Sequence, residues 1–126
     1  MKKKLSVLLF IGIILSGCST IEENSLETGN GSIELLTPTI TTKDNELEIK
    51  TEGIDENKVT FIYVANKKVL EQKINNGESY RLNIKDIEHA HRTDYKPRVQ
   101  LLQTKDDKED GDMATFKQVR YTVEKK

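Results

Sequence analysis

Lys58 to Ala65 reads KVTFIYVA, the most apolar run beyond the first eighteen residues. In an extended chain, alternate side chains fall on opposite faces. Val59, Phe61 and Tyr63 then share one face, and Thr60, Ile62 and Val64 share the other. β-Branched and aromatic residues suit a pleated surface. Apolar residues on both faces predict a central strand covered on both sides.

Working outward, the same texture continues. Asn66-Lys67 reads as a tight hairpin turn into KVLEQKI, residues 68–74. Asn75-Asn76-Gly77 is a second turn, since Asn and Gly tolerate positive φ. SYRLNI then alternates, with Tyr80, Leu82 and Ile84 on one face. On the other side, GIDENK is a loop, and ELEIKT alternates with Leu47, Ile49 and Thr51 pointing one way. Lys43-Asp44-Asn45 is a turn, and SIELLTPTI is a first strand. Pro38 assigns it to a sheet edge, because proline has no N–H for the ladder.

Toward the C-terminus, KDIEHAHRTD (85–94) predicts a crossing between sheets with room for one helical turn. YKPRVQLLQT (95–104) is a strand, KDDKEDGD (105–112) an acidic turn, and MATFKQVRYTVEKK (113–126) the last strand. Val119, Tyr121 and Val123 share a face in it; Phe116 is out of phase, and a β-bulge near Lys117 restores the register. Seven strands at fairly regular spacing predict an all-β fold, a small immunoglobulin/fibronectin-like β-sandwich. The chain has one Cys and no Trp, so the Cys–Trp–Cys core of true immunoglobulin domains is absent. A small open barrel is the alternative, and no internal repeat is visible.

The N-terminus has a different character. MKKKLSVLLFIGIILSGC places Lys2, Lys3 and Lys4 before an apolar run from Leu5 to Leu15. That is the layout of a secretory signal, and it is shorter than the ~20 apolar residues of a membrane span. Leu15-Ser16-Gly17-Cys18 follows, with small residues before the lone cysteine. These residues resemble the lipobox of bacterial lipoproteins. The resemblance implies cleavage between Gly17 and Cys18 and a diacylglycerol thioether on Cys18. Two acyl chains make a stable membrane anchor where one does not. The chain then divides into a signal peptide (1–17), the lipidated Cys with a polar, Gly-containing flexible tether (18–32), and a β-sandwich domain (33–126). No disulfide can form within the processed chain, so stability rests on packing and backbone hydrogen bonds.

The full chain carries 20 basic and 21 acidic residues, and losing the three N-terminal lysines takes the net charge from −1 to −4. That balance argues against nucleic acid as a partner. It argues equally against electrostatic adhesion to anionic lipid.

Catalytic and metal motifs fail on spacing. His89 and His91, two apart, would share a side of a strand near Glu88 and Asp94, but a metal site needs three or four ligands and supporting groups. The pair reads as ordinary loop histidines, and no metal ligand is assigned. An EF-hand loop starting at Asp106 meets Lys108 and Lys117 where oxygen ligands belong. No GxSxG elbow, free catalytic Cys or Gly-rich phosphate loop occurs, and Arg120-Tyr121 is too little for nucleic acid. The expectation is a protein that is not an enzyme and takes no cofactor. Its candidate partner-binding loops are 85–94, with His89, His91, Arg92 and Asp94, and 105–112, with Asp107 and Glu109.

With its MKKK start, LSGC lipobox, short polar tether and one compact β domain, the chain resembles the small exclusion lipoproteins of integrative and conjugative elements in Gram-positive bacteria. The resemblance implies a protein on the outer surface of the host cell membrane. Its partner would be a membrane subunit of an incoming donor's matching conjugation machinery, and its effect would be to block redundant transfer. No recognition residue carries over. Two other readings stand beside it: an accessory lipoprotein of a secretion or cell-wall complex, and a small-molecule or metal-binding lipoprotein.

Overall fold

The computed structural model describes residues 27–126. Gly17, Cys18 and the signal segment lie outside the described residues. Nine strands follow in order: β1 Ser32–Leu35, β2 Thr39–Thr41, β3 Glu46–Glu52, β4 Thr60–Val64, β5 Lys67–Gln72, β6 Ser79–Asn83, β7 Arg98–Thr104, β8 Met113–Arg120 and β9 Thr122–Glu124. They form a three-stranded antiparallel sheet in the order β1-β3-β6 and a four-stranded one in the order β5-β4-β7-β8. A parallel β2-β9 ribbon joins them. The result is a small all-β sandwich, the class that the strand spacing predicts. β4 is central in its sheet, as its two apolar faces require.

The core lies between the sheets. Leu47, Ile49, Leu82 and Ile84 from one meet Ile62, Val64, Val99 and Leu101 from the other, all fully buried. Ile40 and Val123 of the ribbon close one side. Burial of this kind stabilises by roughly 25 cal/mol per Å² of apolar surface. Each inner residue is two positions from the next, so the period read from ELEIKT and SYRLNI is the one the core uses.

The register defines two ends. Loops 53–59, 73–78 and 105–112 cluster where β7 finishes at Thr104, the hairpin end. Segments 42–45, 65–66 and 84–97 cluster where β7 begins at Arg98, the crossover end.

Several local expectations are corrected. The first and last predicted strands are each divided in two, giving nine strands and not seven. Pro38 separates β1 from β2, and its carbonyl accepts from Thr122 N (2.9 Å). At Tyr121 the chain leaves β7, donating its N–H to Pro97 O (3.1 Å), and pairs with β2 instead. Residues 85–94 form no helical turn. They make successive turns, with Ile87 N bonded to Ile84 O and Ala90 N to Ile87 O. The β4–β5 turn centres on Ala65-Asn66, with φ of 50° and 71°, one residue earlier than expected. Two successive positive φ values match the right-handed twist of a hairpin. The bulge falls beside Ala114, between the Gln103/Thr115 and Thr104/Met113 pairs, and the ladder is regular through Lys117.

The described part of the segment read as a tether is docked on the sandwich. Thr28 pairs antiparallel with Phe116, exchanging both backbone bonds at 3.0 Å. Glu27 Oε2 accepts from Gln118 N. Gly29, at φ +81°, lies so close to β8 that a Cβ would stand 2.6 Å from Ala114 O. Only glycine fits that approach and that backbone angle.

Candidate functional site

Phe116 is out of phase because it faces outward. The inner face of the four-stranded sheet takes Ile62, Val64, Val99 and Leu101. Its outer face therefore takes the residues between them. Phe61 sits across from Leu102, and Leu102 from Phe116, so one row of three apolar side chains crosses β4, β7 and β8. The adjacent row is Tyr63, Gln100 and Gln118, with Gln100 Nε2 donating to Gln118 Oε1 at 3.3 Å. A sandwich face turned to water ordinarily carries polar residues. Here Tyr63, Leu102, Met113 and Phe116, with Asn66 and Gln100, line a shallow depression of about 310 Å³. Met113 at its rim is 48% exposed.

A charged cluster covers one side of that row. Phe61 is only 1% exposed although it lies on the outer face. Lys68 Nζ stands 5.7 Å from its ring centroid, within cation–π range. Lys68 bonds Glu71 at 2.6 Å and Glu109 at 2.9 Å. Glu109 also accepts from the Tyr63 hydroxyl. Hairpin 105–112 thus bends back over the sheet and holds its own carboxylate against β4 and β5. The Tyr63 hydroxyl and Lys68 together hold the Glu109 carboxyl below the usual carboxylate range. Burial, then the neighbouring Glu109, pushes Tyr63 up to about 12. Bonds to Glu71 and Glu109 raise the Lys68 ammonium further.

The candidate loops fall at opposite ends of the sandwich and build no common site. At the crossover end, His91 Nε2 lies 2.6 Å from Asp44 O. His89, at φ 73°, lies 3.6 Å from Glu88. Arg92 forms a two-pronged bond to Asp94, Nε to Oδ1 at 2.8 Å and the second nitrogen to Oδ2, and its guanidinium lies 4.5 Å from the Tyr95 ring centroid. This pairing lowers the Asp94 pKa. At the hairpin end, Asp107, at φ 64°, accepts from Val59 N at 3.1 Å. Glu109 alone of the six is bonded to a residue that lines the outer-face depression, Tyr63. Among the described residues no group of three or more His, Cys, Asp or Glu is placed to hold a metal ion.

Tyr63, Lys68, Leu102, Met113 and Phe116 are the surface residues that loop-based reasoning passes over. Their signal is in the sequence: KVTFIYVA is apolar on both faces, and Phe116 breaks phase. A second concavity, of about 610 Å³, lies on the outer face of β3 and β6 beside Thr37, Glu46, Glu48, Arg81 and Asn83. Its lining is mainly polar and charged. Compared with protein-family models, curated proteins and solved structures, the chain finds no match.

Proposed function

We propose that this chain is a lipid-anchored lipoprotein on the extracytoplasmic face of the cell membrane, and that its β-sandwich binds another protein. The observation that carries the binding role is the depression that Tyr63, Leu102, Met113 and Phe116 line on the outer sheet face. An apolar patch rimmed by polar groups is the usual mark of a protein contact, and aromatic residues and Met are enriched at such contacts. The Lys68–Glu71–Glu109 cluster supplies the polar rim. The anchor rests on the Leu15-Ser16-Gly17-Cys18 lipobox.

Within this reading the partner is a membrane subunit of a donor cell's matching conjugation machinery, and the effect is exclusion of redundant transfer. Discrimination between related elements then resides in side chains around the depression and in hairpin 105–112, through matched and mismatched charge. The test expresses the protein in recipient cells and counts transfer of the same element. Transfer is expected to fall, and Phe116→Asp is expected to restore it while the protein stays folded at the surface. Unchanged transfer with the wild-type protein confirmed at the surface removes the exclusion role.

A further inference from the structure

We propose that the crossover end of the domain rests on the anionic surface of the bilayer, directing the acidic hairpin 105–112 away from the membrane. The proposal builds on the lipid-anchored reading and adds an orientation to it.

The charges are segregated. Segments 42–45, 84–98 and 120–126 carry eight basic side chains against five acidic ones. The loops of the opposite end, 53–59, 73–78 and 105–112, carry four lysines against eight carboxylates. At the crossover end a cleft of about 280 Å³ is lined by His89, Tyr95, Lys96, Arg98 and Arg120, among others, with no carboxylate in its wall. Arg92 and Asp94 pair with each other and cancel, which leaves the basic side chains of the cleft wall in excess there. Lys43 lies exposed on the turn whose Thr42 hydroxyl accepts from Lys126 N, so the C-terminal lysines join the same end.

The path of the chain points the same way. β8 runs from the hairpin end to the crossover end, and Thr28 pairs with it antiparallel. The chain therefore enters the domain from the crossover side. Eight residues, 19–26, separate Cys18 from the docked Glu27. At ~3.5 Å per residue they span at most about 30 Å, roughly the diameter of a domain this size. A tether of that length lets the basic surface come within the ~8 Å over which anionic headgroups attract it at physiological salt. The carboxylates of hairpin 105–112 are repelled by the same field, so the two ends act together to orient the domain.

The test uses the processed lipoprotein in vesicles of phosphatidylcholine, with or without phosphatidylglycerol, doped with a gadolinium-headgroup lipid. Amide broadening by NMR reads distance from the membrane. With phosphatidylglycerol, residues 42–45, 88–98 and 120–126 are expected to broaden several-fold more than 105–112. High salt and Lys43→Glu/Lys96→Glu are expected to abolish the difference, while Lys108→Glu on the hairpin leaves it intact. Equal broadening of both ends, or no dependence on phosphatidylglycerol, overturns the orientation. The mass of the same sample keeps the two readings apart: absence of diacylglycerol on Cys18 overturns the anchor itself.

Discussion

The two ends of the sandwich are closed by different chemistry. At the crossover end Tyr121 fills the space between the sheets, and its hydroxyl donates to Ala90 O at 2.6 Å. It is 1% exposed and the largest fully buried side chain of the domain. At the hairpin end the brace is an amide. Asn76 Oδ1 accepts from Thr51 Oγ1 and Ile54 N, both at 3.1 Å, while its Nδ2 donates to Ile54 O at 2.9 Å. Gln103 Nε2 adds bonds to Asp55 O (2.8 Å) and Thr60 Oγ1 (3.0 Å). One end is held by volume, the other by directional bonds among loops. The lesson concerns tolerance: a space-filling plug fails when atoms are removed, and an amide brace fails when its donor–acceptor pattern changes.

The largest effect is therefore expected at the plug. Tyr121→Ala should cost about 3–5 kcal/mol, as truncation of a buried aromatic does. Tyr121→Phe keeps the volume and should cost only ~1–2 kcal/mol, since Ala90 O then loses its donor. Chemical denaturation separates the two, and equal losses would mean that the hydroxyl, not the ring, closes this end.

An intermediate effect is expected at the amide brace. Asn76→Ala leaves Ile54 N, Ile54 O and Thr51 Oγ1 without their partner and should cost ~1–3 kcal/mol. Hydrogen exchange should locate the loss in loops 53–59 and 73–78 and spare 84–97. Exchange that rises at both ends alike would show the ends to be one cooperative unit.

The smallest effect belongs to the surface cluster that ties the hairpin end to the outer face. The folded pKa of Glu109 is depressed, so its contribution is present above the ordinary carboxylate pKa and is lost as pH falls through the lowered value. Tyr63 is the opposite case. Its folded pKa is raised from 10.0 to about 12, so its contribution is complete below 10.0 and is lost as pH rises through about 12. NMR titration should show Glu109 ionising below the ordinary glutamate range, and Tyr63→Phe should raise it back toward that range. A Glu109 that titrates in the ordinary glutamate range in the wild-type protein would detach hairpin 105–112 from the outer face.

Much of the fold is legible along the chain because sheet periodicity is local. A residue in ELEIKT or SYRLNI needs only its neighbours two positions away to mark the buried face. The candidate surface was legible in part. KVTFIYVA has two apolar faces, which predicts a central strand but not which face stays open. Phe116 gave the clearer signal. A bulge near Lys117 would have turned it inward, whereas the observed bulge at Ala114 leaves it outward beside Leu102. The loop residues were harder still. Loops 85–94 and 105–112 are both polar and carry both charge signs, and only the strand order puts them at opposite ends.

The alternation of apolar residues and the placing of turns settle the all-β class from the sequence, because both are properties of neighbouring residues. The lipobox motif is likewise local, and so it stands as an expectation without any fold at all. Net charge is different. It is a sum that carries no positions, and the −4 expected of the processed chain points away from anionic lipid. Folding sorts the same side chains into an acidic end and a basic end through pairings between strands distant in sequence. Those pairings also set Phe61, Leu102 and Phe116 side by side, because contacts across a sheet depend on register and not on sequence distance.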